Sequence, residues 1–402
     1  MIYEPSYFNL FKEKAQLWAS SFSTVCILNS NDYKDPFGAI SLMIAVGKKS
    51  DFKSEALQNF ETLQNFINQH REEIIPGYLS YDLNAYFFVP EYLLIFEGNN
   101  VKITAHNPYT LIDEIETISL NQERIDFKGV IQSRMSREEY SNAFKKLQEH
   151  IFSGDIYEVN LCQEFYSENA TLNCFAAYKE LISISPTPFS CFFKHESTIV
   201  ISASPERFLC KKGNKLISQP IKGTAPRGDT LEEDKKIKEK LKSDPKEISE
   251  NIMIVDLVRN DLTISAEPGT VKVEELLGLY SFKQVHQLIS TISCTLKSGL
   301  AVTEAIQNAF PPGSMTGAPK ISAMNLVKQY EKGNRGLYAG SIGYFNGKNE
   351  FDFNVIIRTI IYNPITRYLS FHVGGAITAH ANEEDEYQEC LLKASAINKL
   401  LS

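Results

Sequence analysis

The dipeptide Asn346-Gly347, set between an apolar stretch at 338–345 and an alternating one at 350–361, constrains this chain more than any other feature. A two-residue turn of that composition matches the right-handed twist of paired antiparallel strands, so it predicts a hairpin. In the second arm Phe351, Phe353, Val355 and Ile357 fall on one face, and Asp352, Asn354 and Arg358 on the other. That period of two predicts a single strand across 350–361, with one face in a core and a polar face bearing a guanidinium.

Similar signals recur along the chain. Apolar strands are expected at 24–29, 39–46 and 198–202. One hairpin is expected at 92–96 and 101–105 around Gly98-Asn99-Asn100, and another after Gly77-Tyr78-Leu79-Ser80-Tyr81-Asp82. A helix is expected at 54–70. A second follows Ser136, where Ser136 and Glu139 make a capping box and Tyr140, Phe144, Leu147 and Ile151 recur at helical spacing up to Gly154. Antiparallel hairpins interleaved with helices indicate an α+β fold. The chain has 402 residues, 43% of them hydrophobic, and no repeat or Gly/Ser linker divides it. One compact unit, 1–402, is therefore expected, with a less patterned region at 1–130 and a more strongly patterned one at 131–402.

The net charge of −8 is spread over interleaved acidic and basic residues, which leaves no basic footprint for nucleic acid or an anionic membrane. A small anionic ligand would have to be met by local cations. The seven cysteines are odd in number and lack a Cys-x-x-Cys pair, against a disulfide framework or a zinc site. Residues 1–20 hold no apolar run long enough for a signal peptide or a membrane span, so a cytoplasmic location is expected.

Two residues carry reactive chemistry. Lys222, in Gln219-Pro220-Ile221-Lys222-Gly223-Thr224, ends an apolar run beside a glycine, where an amine can act as a nucleophile. Glu206, in Ser204-Pro205-Glu206-Arg207-Phe208, brings a carboxyl group from the end of the 198–202 strand. An amine and an acid together suit displacement of a hydroxyl from a small molecule. Burial is expected to leave Lys222 neutral enough to attack.

Two other segments place carboxylates three residues apart on one helix face: Glu247 and Glu250 just after Pro245, and Glu386 and Glu389 with Lys393 four residues on. Such faces, set opposite each other, can hold Mg²⁺, a hard cation that takes one or two carboxylates and completes its shell with waters and ligand oxygens. Arg358 can grip a carboxylate in bidentate fashion. Gly374-Gly375, at the end of a strand expected over 369–373, would let backbone N–H groups approach an anion.

The runs Gly154-Asp155-Ile156-Tyr157-Glu158-Val159-Asn160-Leu161, Ser204-Pro205-Glu206-Arg207-Phe208, Ile254-Val255-Asp256-Leu257-Val258-Arg259-Asn260-Asp261-Leu262, Pro312-Gly313-Ser314-Met315-Thr316-Gly317-Ala318-Pro319-Lys320 and Gly340-Ser341-Ile342-Gly343-Tyr344 occur in this order. On these motifs the chain, from about Met135 onward, resembles the chorismate-utilising enzymes, the family of anthranilate, isochorismate, salicylate and aminodeoxychorismate synthases. The resemblance implies two stacked, largely antiparallel β-sheets flanked by helices, with the site between them. It implies Mg²⁺ held mainly by Glu250 and Glu389 with Glu247 and Glu386 in support, and substrate contacts from Arg358, Tyr338, Lys393, Gly223, Thr224, Gly374 and Gly375.

Lys222 in Pro220-Ile221-Lys222-Gly223-Thr224 is similar to the branch that aminates chorismate at C4 through a covalent lysine adduct with a glutamate, here Glu206, as general acid; anthranilate synthases carry alanine there. The resemblance further implies ammonia as co-substrate. No glutaminase signature occurs in this sequence, so a separate glutamine amidotransferase subunit is the implied partner. Anthranilate or isochorismate formation is the alternative, and a non-catalytic chorismate-binding subunit a more distant one.

Three positions depart from the family pattern. Gln287 takes the place where relatives commonly carry histidine, and His286 comes one residue early; on a helix that shift turns the imidazole by about 100°, which makes His286 a packing residue. Glu158 stands where isochorismate and salicylate synthases carry the lysine that activates water, which argues against water as the nucleophile. Glu164 takes a position often held by arginine and adds negative charge near the site.

Overall fold

The computed structural model describes residues 1–38, 40–120 and 124–402, and among these the strands gather into one sheet of twelve and one of ten. The twelve-stranded sheet sets Phe189–His195, Thr198–Ser204, Thr359–Asn363, Tyr368–Ile377 and Glu158–Ser167 side by side, each antiparallel to the next. The ten-stranded sheet does the same with Ile221–Pro226, Val285–Thr295, Lys215–Gln219, Arg207–Lys212, Glu350–Asn354 and Ser341–Asn346. Strands from the first third of the chain are built into both: Val25–Asn29 and Leu42–Val46 into the larger, Ile75–Leu79 and Ala85–Val89 into the smaller. Ala39, the first residue of the strand expected at 39–46, lies outside the described residues.

The sheets stack face to face. Met43, Ala45, Ile95, Phe193 and Val200 of one meet Tyr86, Phe88 and Ile342 of the other in a single apolar cluster. Alternation along each strand then leaves a second apolar set on the outer faces, which helices cover. Phe8–Ser20, Cys174–Ile184 and Glu383–Leu400 close the larger sheet, and Phe60–Gln69, Pro245–Ser265 and Val302–Ala309 the smaller. Burial at about 25 cal/mol per Å² of apolar surface is what holds these layers together. No helix among the described residues is long and apolar enough to cross a membrane.

The strand expected over 350–361 is two strands. Glu350–Asn354 belongs to the smaller sheet and Thr359–Asn363 to the larger, and the chain crosses between them at 355–358 with Arg358 at φ 51°, in the left-handed region. The apolar phase shifts across the break, from Phe351, Phe353 and Val355 under the smaller sheet to Ile360 and Tyr362 under the larger, and the continuous apolar run Val355-Ile356-Ile357 blurs the change in the sequence. A matching crossing joins Thr198–Ser204 to Arg207–Lys212 through Pro205 and Glu206. The two crossings are tied together: the Val355 N–H donates to the Glu206 carbonyl at 3.0 Å, and the Ser204 hydroxyl to the Val355 carbonyl at 2.6 Å.

Other expectations shift as well. The helix expected at 54–70 starts at Phe60, because Asn59 caps it by accepting from the Glu61 N–H, while Ser50–Ser54 pairs as a strand with Ala85–Val89. His286 lies on the strand Val285–Thr295 rather than on a helix. Tyr338 precedes the strand Ser341–Asn346 instead of belonging to it, and Gly374-Gly375 sits inside Tyr368–Ile377 rather than at its end.

Candidate active site

A cleft of ≈ 780 Å³ lies where the chain crosses between the sheets. Glu206 and Arg358 reach it from the two crossings, Lys222, Gly223 and Thr224 from the edge strand Ile221–Pro226, Tyr338 from the segment before Ser341–Asn346, and Gly374 from the larger sheet's strand Tyr368–Ile377. Glu247 and Glu250 enter from the helix Pro245–Ser265, and Glu389 and Lys393 from Glu383–Leu400. Both helices start on an asparagine or aspartate cap and present an acidic first turn, which complements their N-terminal dipoles. Gly223 adopts φ +98°, and a Cβ there would lie 3.0 Å from Glu247 Oε2, so glycine is what lets the acidic helix approach this strand.

Two expected contacts lie outside the cleft. Glu386 is 1% exposed and sits behind it, and a Cβ on Gly375 would lie 2.7 Å from Glu386 Oε2. Gly375 therefore makes room for the acidic helix, not for a substrate anion. Gly374 admits the Cys162 thiol in the same way, and its carbonyl accepts from Lys393 Nζ at 2.9 Å. The Tyr338 ring stacks on His372 with centroids 4.9 Å apart, and its hydroxyl meets the Cys162 sulfur at 3.5 Å.

The Lys222 side chain is 10% exposed, and its Nζ donates to Glu158 Oε1 at 2.7 Å. Burial by itself would drive the ammonium to release its proton, yet the charges of Glu158 and Glu250 outweigh it and the pKa is raised. The expectation that desolvation leaves Lys222 neutral is thus overturned by its partners. Glu206 shows the opposite balance. Burial pushes its carboxyl group up to about 7, against a hydrogen bond from Ser314 and the charge of Lys222. Arg358 is held below its ordinary value by burial, with Glu206 acting the other way.

The four helical glutamates form an electrostatically unbalanced group. Burial raises Glu250 to about 7 and also raises Glu247 and Glu386, whereas the neighbouring Lys393 ammonium holds Glu389 down at about 2. Lys246 Nζ lies 2.6 Å from Glu386 Oε1 and 3.7 Å from a carboxylate oxygen of each of Glu250 and Glu389, so one ammonium faces both helices' acids. Lys246 thus satisfies Glu386 Oε1, whereas Glu386 Oε2 and Glu250 Oε1 are buried with no donor at hydrogen-bond distance. Among the described residues no three His, Cys, Asp or Glu side chains are grouped to hold a metal by themselves. Orphaned hard oxygen donors in an incomplete set fit an ion such as Mg²⁺, which completes its shell from water and ligand oxygens.

The structure also accounts for the departures. His286 is wholly buried, with Nε2 2.8 Å from Asp234 Oδ1 and Nδ1 2.9 Å from Ser281 Oγ, so it packs and pairs away from the cleft. On a strand the one-residue shift reverses the face, and it is Gln287 that lines the cleft. Glu164 accepts from Arg134 Nε at 2.9 Å and from the Tyr368 hydroxyl at 2.6 Å, so Arg134 brings the positive charge. Asn160, Ser314 and His372 line the cleft without having been singled out; only their position inside long motifs, or beside Gly374, could have marked them.

Residues 23–399 match the family model of the chorismate binding enzymes. The chain belongs to that family. This chorismate binding enzyme is 40% identical to aminodeoxychorismate synthase component 1 of Escherichia coli (strain K12), over 70% of the chain and 61% of the relative. It is 36% identical to anthranilate synthase component 1 of Thermus thermophilus, over 69% of the chain and 59% of that relative. Each match thus spans about three fifths of the relative's length. The same fold appears in anthranilate synthase component I from Streptococcus pneumoniae, with a TM-score of 0.77 at 24% identity, covering 90% of this chain and 93% of that one.

Proposed function

We propose that the chain is the chorismate-converting component of an aminodeoxychorismate synthase, acting in the cytoplasm with ammonia delivered by a glutamine amidotransferase subunit. The observation that carries this reading is a buried lysine, Lys222, and a buried acid near neutrality, Glu206, facing the same cleft. Similarity to relatives named as component 1 supports the partner.

Lys222 must shed a proton before it attacks, and the group bonded to its Nζ is Glu158, so the proton passes to that carboxylate. The free amine attacks C2 of chorismate, both ring double bonds shift, from C1=C2 to C1=C6 and from C5=C6 to C4=C5, and the C4 hydroxyl leaves as water with the proton of Glu206. Ammonia then adds at C4 and the C2–N bond breaks, which returns a neutral Lys222; Glu206 takes the surplus proton from the new ammonium, and Glu158 returns its own to the lysine. The net change is chorismate plus ammonia to 4-amino-4-deoxychorismate plus water.

Arg358 and Lys393 meet one substrate carboxylate. Mg²⁺, held by Glu250 and Glu389 with Glu247 and Glu386 behind them, would supply positive charge for the other. The Thermus relative favours a second reading, amination at C2 to give anthranilate. Incubating the protein with chorismate, ammonium and Mg²⁺ and resolving the products separates them: aminodeoxychorismate is expected, and anthranilate or isochorismate as the main product would refute the proposal.

A further inference from the structure

Behind Glu206 the short turn Gly313–Met315 is fastened at both ends by buried cations that do not line the cleft. Lys320 Nζ donates to the carbonyls of Ala309 and Pro311 at 2.9 and 3.0 Å, and pairs with Asp261 at 2.7 Å. Beyond the turn, the Arg335 guanidinium donates to the Met315 carbonyl at 2.6 Å and the Asn160 carbonyl at 2.9 Å, with Glu331 as its counter-ion at 2.7 Å. Burying two charges is expensive, and apolar side chains of similar volume would fill the same space at less cost. What apolar groups could not do is hold four carbonyls at fixed positions. The one side chain of the turn that meets a reactive group is Ser314, which lines both the cleft and the smaller cavity behind it together with Glu206, where its hydroxyl acts on the carboxyl group.

We propose that this turn is a positioning device for the general acid: Ser314 aims and tunes the Glu206 carboxyl group, and Lys320 and Arg335 keep Ser314 in place. The inference rests on Glu206 acting as the acid in the reaction proposed above. Ser314 acts on a carboxyl group already surrounded by Lys222 from the edge strand, Lys393 from the last helix and Arg358 from the second crossing. Those cations favour the carboxylate from the substrate side. The serine hydroxyl, approaching from behind, selects which oxygen carries the proton toward the leaving group. Burial lowers the Lys320 ammonium and raises Asp261 to about 6, the strain expected of a pair buried for geometry.

The test is an infrared titration of the Glu206 carboxyl band in substrate-free protein, with Glu206→Gln identifying the band, run beside the pH dependence of kcat and the KM for chorismate. Ser314→Ala is expected to move the Glu206 titration upward by roughly half a pH unit or more, because the carboxylate loses a donor. It should also lower kcat about tenfold or more while the chorismate KM changes by less than about threefold. Lys320→Met and Arg335→Met should shift the titration in the same direction, and should either variant fail to fold, Ser314→Ala decides alone. An unshifted titration with wild-type kcat in Ser314→Ala would overturn the proposal. Absence of aminodeoxychorismate formation by the wild-type protein would defeat the functional reading instead, and the titration would still report on the turn.

Discussion

The lysine side and the acid side of one cleft are oppositely tuned. Lys222, its side chain 10% exposed, lies among Glu158, Glu250 and Glu389 and keeps its proton; Glu206, 4% exposed, lies against Ser314 and the Ile221 backbone and its carboxyl group is raised to about 7. Burial opposes charge at both sites. The difference is in the neighbours: the charges of Glu158 and Glu250 outweigh desolvation at the lysine, while at the acid the Ser314 hydroxyl, the Lys222 charge and the Ile221 backbone do not. A buried ionisable group therefore cannot be assigned a charge state from burial alone, and an amine can be stored as its conjugate acid with an accepting carboxylate already in contact.

The comparison is broken most completely by removing the lysine. Lys222→Ala should lower aminodeoxychorismate formation by about 10³-fold or more, with residual product shifting toward amination at C2. Intact mass spectrometry with a C2-directed electrophilic chorismate analogue should show one adduct in the parent protein and none in the variant. Wild-type turnover without any adduct would make Lys222 an electrostatic contact. Next in size, Glu250→Gln or Glu389→Gln should abolish Mg²⁺-dependent turnover, since an amide is a far poorer ligand for a hard cation, and calorimetric Mg²⁺ titration should show the lost site directly.

Arg358→Ala leaves both ends in place and removes the grip between them. Losing charge-assisted hydrogen bonds of about 2–3 kcal/mol should reduce kcat/KM for chorismate by roughly 30- to 150-fold, measured by initial rates. A smaller change sharpens the lysine end: Glu158→Gln should lower the Lys222 pKa, seen as faster modification of Lys222 by an amine-selective reagent at fixed pH, and unaltered reactivity would show that Glu158 is not the group holding the proton.

The smallest effect concerns stability. Glu206 and Glu250 are raised from an ordinary 4.5 to about 7, so across that window the folded chain binds more protons than the unfolded one. Stability from these groups is complete below about 4.5 and is lost as pH rises through 7. The Tm should fall across that range, and Glu206→Gln should flatten part of the slope; an identical slope in the variant would show that the carboxyl group is not raised.

Much of this molecule was legible locally. The hairpin after Asn346, the Ser136 capping box and the two helices with paired glutamates follow from turn chemistry and spacing, because those signals lie within a few residues of one another, although the hairpin turns through three residues, 347–349, with Asn349 rather than an Asn-Gly pair in the left-handed region. Long motifs identified the family, and the family implied the stacked sheets. Tertiary structure decided the rest. Whether 350–361 is one strand or two depends on which sheet each half pairs with, and the apolar run Val355-Ile356-Ile357 across the break blurs the change of phase. Gly375 looked like an anion contact until the helix carrying Glu386 was seen to fill the space beside it. The charge of Lys222 depends on Glu158, 64 residues away in sequence and 2.7 Å away in space. Periodicity and capping are set by near neighbours in the chain, whereas pairing partners, close approaches and proton affinities are set by near neighbours in space, which no local pattern encodes.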